Sequence, residues 1–199
     1  MTTQYSTTHR TNSATQLNTD IGINAKISIY AGVIPANVAA AVGTLIAQLT
    51  GNATAFGAAA TGVLTASAIT SANATGAGTN TASYFRIATS ASADVVQGTV
   101  FMSTPLTTSA LTAANGNVLT FAATTGVVVG MTVAGTGVLS GTTVTAVSGT
   151  TVTMSQTSTA GVANATVITF AGDCTIQNTS IANGQSVSIS SLVITMNGA

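Results

Sequence analysis

The chain of 199 residues is formally neutral: three basic and three acidic side chains make up 3% of it, while 46% is hydrophobic and more than half is Thr, Ala, Gly or Ser. Three scattered cations cannot form the basic patch that neutralises phosphates, so a nucleic-acid partner is excluded. An apolar, uncharged composition is also the opposite of the disordered signature. With no Trp, five Phe and three Tyr, the core must be built from Val, Ile, Leu and Ala, and the length suits one or two domains.

Residues 1–24 are polar, lack β-branched alternation and hold His9, Arg10 and Asp20. They read as an extended N-terminal arm with at most one helical turn near Ala14–Leu17. The arm is expected to order only when hydroxyl and amide groups pair with the edge strand of a neighbour. No secretory signal is visible in it, and Ile29–Leu49, interrupted by Pro35, Asn37, Thr44 and Gln48, is too broken to span a bilayer. A protein made in a cytoplasm without export, with no membrane partner, is the expectation.

From Lys26 the pattern changes to short apolar runs between Gly, Asn and Ser clusters. Strands are predicted at Lys26–Tyr30, Thr44–Thr50, Gly62–Ile69, Ser83–Ile87 and Val95–Phe101. Asn37–Leu49 is read as a loop followed by a strand, because Gly43-Thr44 interrupts its helical Ala content. Residues 105–171 carry no charge and read as a separate piece, with strands at Val118–Phe121, Met131–Ala134, Thr143–Val147, Thr150–Met154 and Val167–Phe170. Ser148-Gly149 predicts a tight hairpin turn. If the near copies NVLTFA (from Asn117) and TVITFA (from Thr166) lie in one sheet, the ends of the piece come close together, as an insertion in a surface hairpin requires. Cys174–Gln177 and Ser186–Met196 then resume the longer strand pattern. The fold class is all-β. The reading is an antiparallel, jelly-roll-like β-sandwich over residues 25–104 and 172–199, with a small β domain, 105–171, inserted in a hairpin loop.

The chemistry of catalysis is missing. The single His, His9, lies in the arm, where nothing rigid would orient it against a nucleophile. Asp20, Asp94 and Asp173 fall in three separate sections and make no acid–base pair. One His, one Cys and three Asp offer no closely spaced metal ligands, and Cys174 reads as a small core residue. GTGVLSG, from Gly135, misses the dinucleotide spacing and reads as turns. No enzyme activity, cofactor or metal is expected. A neutral Thr-rich β surface suits a permanent assembly, in which partners cover edges that charge would otherwise protect. Contact residues expected for such partners are Tyr5, His9 and Arg10 in the arm and Ile34, Pro35 and Val38 in the apolar loop after the first strand.

Arg10–Asn18, AKISIYAG (from Ala25), GTLIAQLT (from Gly43), ATAFGAAATGVLTASAIT (from Ala53), ASYFRI (from Ala82) and QGTV (from Gln97), with the ending TIQNTSIANGQSVSISSLVITMNGA (from Thr175), resemble a family of small tailed-bacteriophage virion structural proteins. TFAATTGVVVGMTVAGTGVLSGTTVTAVSGTTVTMS, from Thr120, resembles a small β module inserted in many phage head and tail proteins. This resemblance implies a capsid decoration (cement) protein on the virion surface. Its partners would be the major capsid protein and neighbouring copies of itself, as a homo-oligomer around a capsid symmetry axis. The alternative is a tail fibre or other tail-associated protein whose module contacts host receptors. A cellular enzyme or small-ligand carrier is disfavoured by the missing catalytic groups.

Overall fold

The structure, a computed structural model, describes residues 5–40 and 42–196. One helix opens the chain, α1 (Thr7–Ile21), followed by β1 (Lys26–Ala31), β2 (Thr44–Gly51), β3 (Val63–Thr65), β4 (Ile69–Thr70), β5 (Ala72–Asn73), β6 (Thr79–Ala88) and β7 (Asp94–Met102). Then come β8 (Thr104–Thr107), β9 (Val118–Thr120), β10 (Thr132–Gly135), β11 (Val144–Ser148), β12 (Thr151–Met154) and β13 (Val167–Ala171). The chain closes with β14 (Cys174–Ile176), β15 (Ser180–Ala182), β16 (Ser186–Val187) and β17 (Ile189–Thr195). The fold is all-β. It forms two compact units, residues 1–101 with 173–199 (unit 1) and residues 102–172 (unit 2).

Unit 1 is built on a nine-stranded sheet in the order β3-β17-β14-β7-β6-β1-β2-β4, with β15 added beside β6. β1 lies at its heart, antiparallel to β2 on one side and β6 on the other. Alternation decides the faces: Ile27 and Ile29 of β1 and Phe85 and Ile87 of β6 point into one core, while Ser28, Tyr84 and Arg86 take the opposite face. Leu64 of β3 and Leu49 of β2, from opposite ends of the strand order, share that core, so the sheet curls around it. Gly98 of β7 fits because a Cβ there would lie 2.7 Å from Cε1 of Phe85, the bulky core residue directly opposite it in register.

The expected extended arm is instead a 15-residue helix belonging to unit 1. Ser6 caps it, its hydroxyl accepting from the His9 amide at 3.2 Å, and Gly22, with φ of +71°, ends it by donating to the Asn18 carbonyl. Ala14 and Ile21 are fully buried in the core, with Leu17 packed beside them. Apolar burial thus overrides the weak helix propensity of its Thr and Asn residues.

Two other expectations are corrected. Gly62–Ile69 divides into β3 and β4, at opposite ends of the sheet order, and Ser186–Met196 divides at Ser188 into β16, paired with β5, and β17, paired with β14 and β3.

Unit 2 contains two three-stranded sheets, β10-β13-β8 and β11-β12-β9. The near copies NVLTFA and TVITFA therefore fall in different sheets, so their sharing one is not what brings the ends together, and each turns its Phe inward. Phe121 and Phe170 meet edge to face at 5.6 Å in the core. Entry and exit of the unit are brought together by β8 pairing with β13. Isolated bridges join the sheets at both seams, Thr132 to Thr143 and Thr108 to Phe121, so the six strands form a closed ring. The β11–β12 hairpin turns at Gly149-Thr150, one residue on from the expected Ser148-Gly149, with Gly149 at φ of +57°.

Candidate functional site

The most built feature of unit 1 lies on the outer face of β2, β1, β6 and β7. Pairing registers place Gln48, Ser28, Arg86 and Gln97 in one row across these four strands. Such a polar row on a sheet face would ordinarily face water. Here the loop between β1 and β2 folds back over it, leaving Arg86 2% exposed and Ser28 buried.

A buried guanidinium must be both neutralised and hydrogen-bonded, and Arg86 is. Its Nη1 donates to Asp94 Oδ2 at 2.9 Å, its Nε to Gln97 Oε1 at 3.2 Å, and its Nη2 to the carbonyls of Asn37 and Ala40 at 3.2 and 2.8 Å. Neighbouring side chains hold the rest of the loop. Gln97 donates from Nε2 to the Pro35 carbonyl at 2.6 Å, the Tyr84 hydroxyl accepts from the Gly43 amide at 2.7 Å, and the Ser83 hydroxyl bonds the carbonyls of Tyr30 and Gly32. Loop backbone that would otherwise be mobile is fixed at both ends and in the middle.

What this scaffold presents is apolar. Val33 is 89% exposed and Ile34 38%, with Val42 exposed further along. Of the residues expected here from sequence, Ile34 stands out in solvent, whereas Pro35 and Val38 are half-buried and Pro35 is tied down through its carbonyl. Val33 is the most exposed of these residues and escaped the sequence reading.

Tyr5, His9 and Arg10 lie at the other candidate position, the start of α1. Tyr5 is 52% exposed and stacks on the His9 ring at a centroid distance of 5.0 Å. Arg10 is half-buried and donates weakly to Thr7 Oγ1 at 3.4 Å, its Nε making no hydrogen bond.

Among the described residues no three metal-ligating side chains cluster, and no helix is long and apolar enough to cross a membrane. Cys174 is fully buried, and burial, with the Asp173 carboxylate beside it, pushes its thiol up to about 12. It stays protonated and unreactive at neutral pH. Among the described residues the site is a buried Arg86–Asp94 pair beneath a loop that carries exposed apolar side chains.

Fold and site define an all-β protein of two units that displays an uncharged apolar loop on a charged latch. Scans against protein-family models, curated proteins and solved structures give no match for the chain.

Proposed function

We propose that this chain is a bacteriophage virion structural protein, a capsid decoration (cement) protein that binds the major capsid protein and neighbouring copies of itself and stabilises the head shell. The observation that carries the reading is the loop. Val33 and Ile34 stand in solvent on a backbone whose polar groups are held by Arg86, Gln97, Tyr84 and Ser83. Rigid apolar anchors lose little entropy on binding, which is how a small number of residues come to dominate an interface. The sequence resemblance to tailed-phage structural proteins supports the same reading, as does the nearly charge-free surface. Contacts made by such a surface rest on apolar burial at roughly 25 cal/mol per Å² and on backbone and hydroxyl hydrogen bonds. Several copies held around one axis add avidity.

The test is the number of copies in purified particles of the encoding phage, measured by quantitative mass spectrometry against the major capsid protein. Hundreds of copies per particle are expected. A dozen or fewer would move the protein to the tail and overturn the head assignment, and its absence would overturn the virion reading.

A further inference from the structure

Half of the six charged residues in the chain line one groove. Lys26, Arg86 and Asp94 border a cavity of about 580 Å³, open to solvent, between the outer face of β1 and the folded-back loop. That volume lies within the usual range of ligand sites, about 300–1,000 Å³. Its floor is the outward face of β1, where Lys26, Ser28 and Tyr30 succeed one another at every second residue. Its wall is apolar, formed by Val38 and Val42.

The charges are not equivalent. Arg86 spends its donors inside the protein, and Asp94 neutralises it. Lys26, the only lysine of the chain, donates from Nζ to the Ser92 hydroxyl at 2.7 Å. Among the described residues the only ion pair is that of Arg86 with Asp94, so Lys26 has no carboxylate within 4.0 Å. An ammonium carries three donors and no acceptor. The groove is therefore lined by one cation that has no ion-pair partner among the described residues and by the apolar side chains of Val38 and Val42.

We propose that this groove binds an extended peptide segment of a neighbouring protein, with apolar side chains against Val38 and Val42 and a carboxylate on Lys26. The distance from Lys26 to Tyr30 along the strand, about 13 Å at roughly 3.3 Å per residue, suits four or five extended residues. The carboxylate comes from an acidic side chain or from a chain end. One ion pair in an otherwise neutral contact sets direction and register more than affinity, so the proposal agrees with attachment that rests mainly on burial. It concerns peptide binding by the isolated protein and stands apart from the virion reading, which particle composition tests.

The experiment titrates the full-length protein with three dye-labelled hexapeptides of Ala, Val and Thr that differ only at the last residue. One ends in Asp with an amidated terminus, one in Ala with a free carboxylate, and one in Asn with an amidated terminus. Fluorescence anisotropy reads affinity, and amide chemical shifts locate the site. At least one carboxylate peptide is expected to bind ten times or more tighter than the Asn peptide, shifting residues 26–30, 38–42 and 48, and the stronger one identifies the source. Lys26→Gln should abolish the preference and Lys26→Arg should retain it, both with unfolding transitions like that of the parent. No binding of any peptide at millimolar concentration, equal binding of all three, or a preference that survives Lys26→Gln would each overturn the proposal.

Discussion

In unit 1 the carbonyls of a long loop are held by a guanidinium, whereas unit 2 contains no charged residue and holds its loops with hydroxyls. Thr108 bonds the Ala163 carbonyl, Thr112 that of Val118, Thr142 that of Leu139 and Ser158 that of Ala113, at 2.7–3.1 Å, and all four residues are buried. Edges are managed differently too. Unit 2 joins its two sheets at both seams, which removes the open edges that charge normally protects. Unit 1 leaves its sheet open, ending in the short strands β3 and β4. A hydroxyl satisfies one short-range partner at small desolvation cost, but a guanidinium reaches several acceptors at once. The 12-residue connection from β1 to β2 needs that reach, and the charge of unit 1 is concentrated where a loop is presented rather than where a core is packed.

The largest effect expected is in unit 2. Phe170→Ala removes a fully buried ring that packs on Phe121 and should cost about 3–5 kcal/mol. Calorimetry or residue-resolved hydrogen exchange should show loss of protection within residues 102–172 while β1, β2 and β6 keep theirs. Loss of protection in both units to the same extent would break the comparison.

Arg86→Met should follow. It leaves the Asp94 carboxylate and the carbonyls of Asn37 and Ala40 without their donor. Breaking a fully buried ion pair costs about 3–5 kcal/mol, and because the Asp94 side chain is 35% exposed about 2–4 kcal/mol is expected here. Chemical denaturation should show the loss in unit 1 alone, with increased exchange of the amides of residues 36–43. Thr108→Val, the corresponding change in unit 2, takes the hydroxyl from the Ala163 carbonyl and the Thr166 amide, while the Thr166 carbonyl keeps the Thr108 amide, and should cost about 1–2 kcal/mol.

The smallest effect concerns Asp173. Desolvation raises its carboxyl above the ordinary value of 3.8. A raised folded-state value means that the folded protein holds the proton more tightly than the unfolded chain. The stability gained from this is present below pH 3.8 and is lost as pH rises through the raised value. Asp173→Asn should therefore raise the unfolding midpoint slightly at pH 7 and leave it unchanged near pH 3, as a thermal melt at the two pH values would read.

Strand positions were legible because apolar residues alternate with a polar one in Lys26–Tyr30 and form short runs beside Thr in Thr44–Thr50 and Val118–Phe121. The helix was not, because its residues rank low in helix propensity. Its signal lay in Ala14, Leu17 and Ile21 at helical spacing between Ser6 and Gly22, a cap-to-cap frame that outweighs propensity. The latch was half visible. Arg86 and Asp94 flank the turn between two predicted strands, so hairpin pairing alone would bring them near one another. That the loop would fold back to place Asn37 and Ala40 on Arg86 follows from tertiary packing, which no local pattern carries. The separation of NVLTFA from TVITFA has the same origin. Their shared in–out alternation fixes which face is buried but not which neighbour completes the sheet.

The proposed function rests on Val33 and Ile34, carried by a loop whose carbonyls are held by Ser83 at Gly32, Gln97 at Pro35 and Arg86 at Asn37 and Ala40. The most direct measurement is the occupancy on purified particles of the double variant Val33→Ser, Ile34→Ser, set beside its unfolding midpoint in isolation. Val33 is 89% exposed and Ile34 38%, so the midpoint should fall by no more than about 1 kcal/mol, the loss coming from the covered part of Ile34. Occupancy should fall tenfold or more. Undiminished occupancy with an unchanged midpoint would contradict the account and leave the loop as packing for the sheet beneath it.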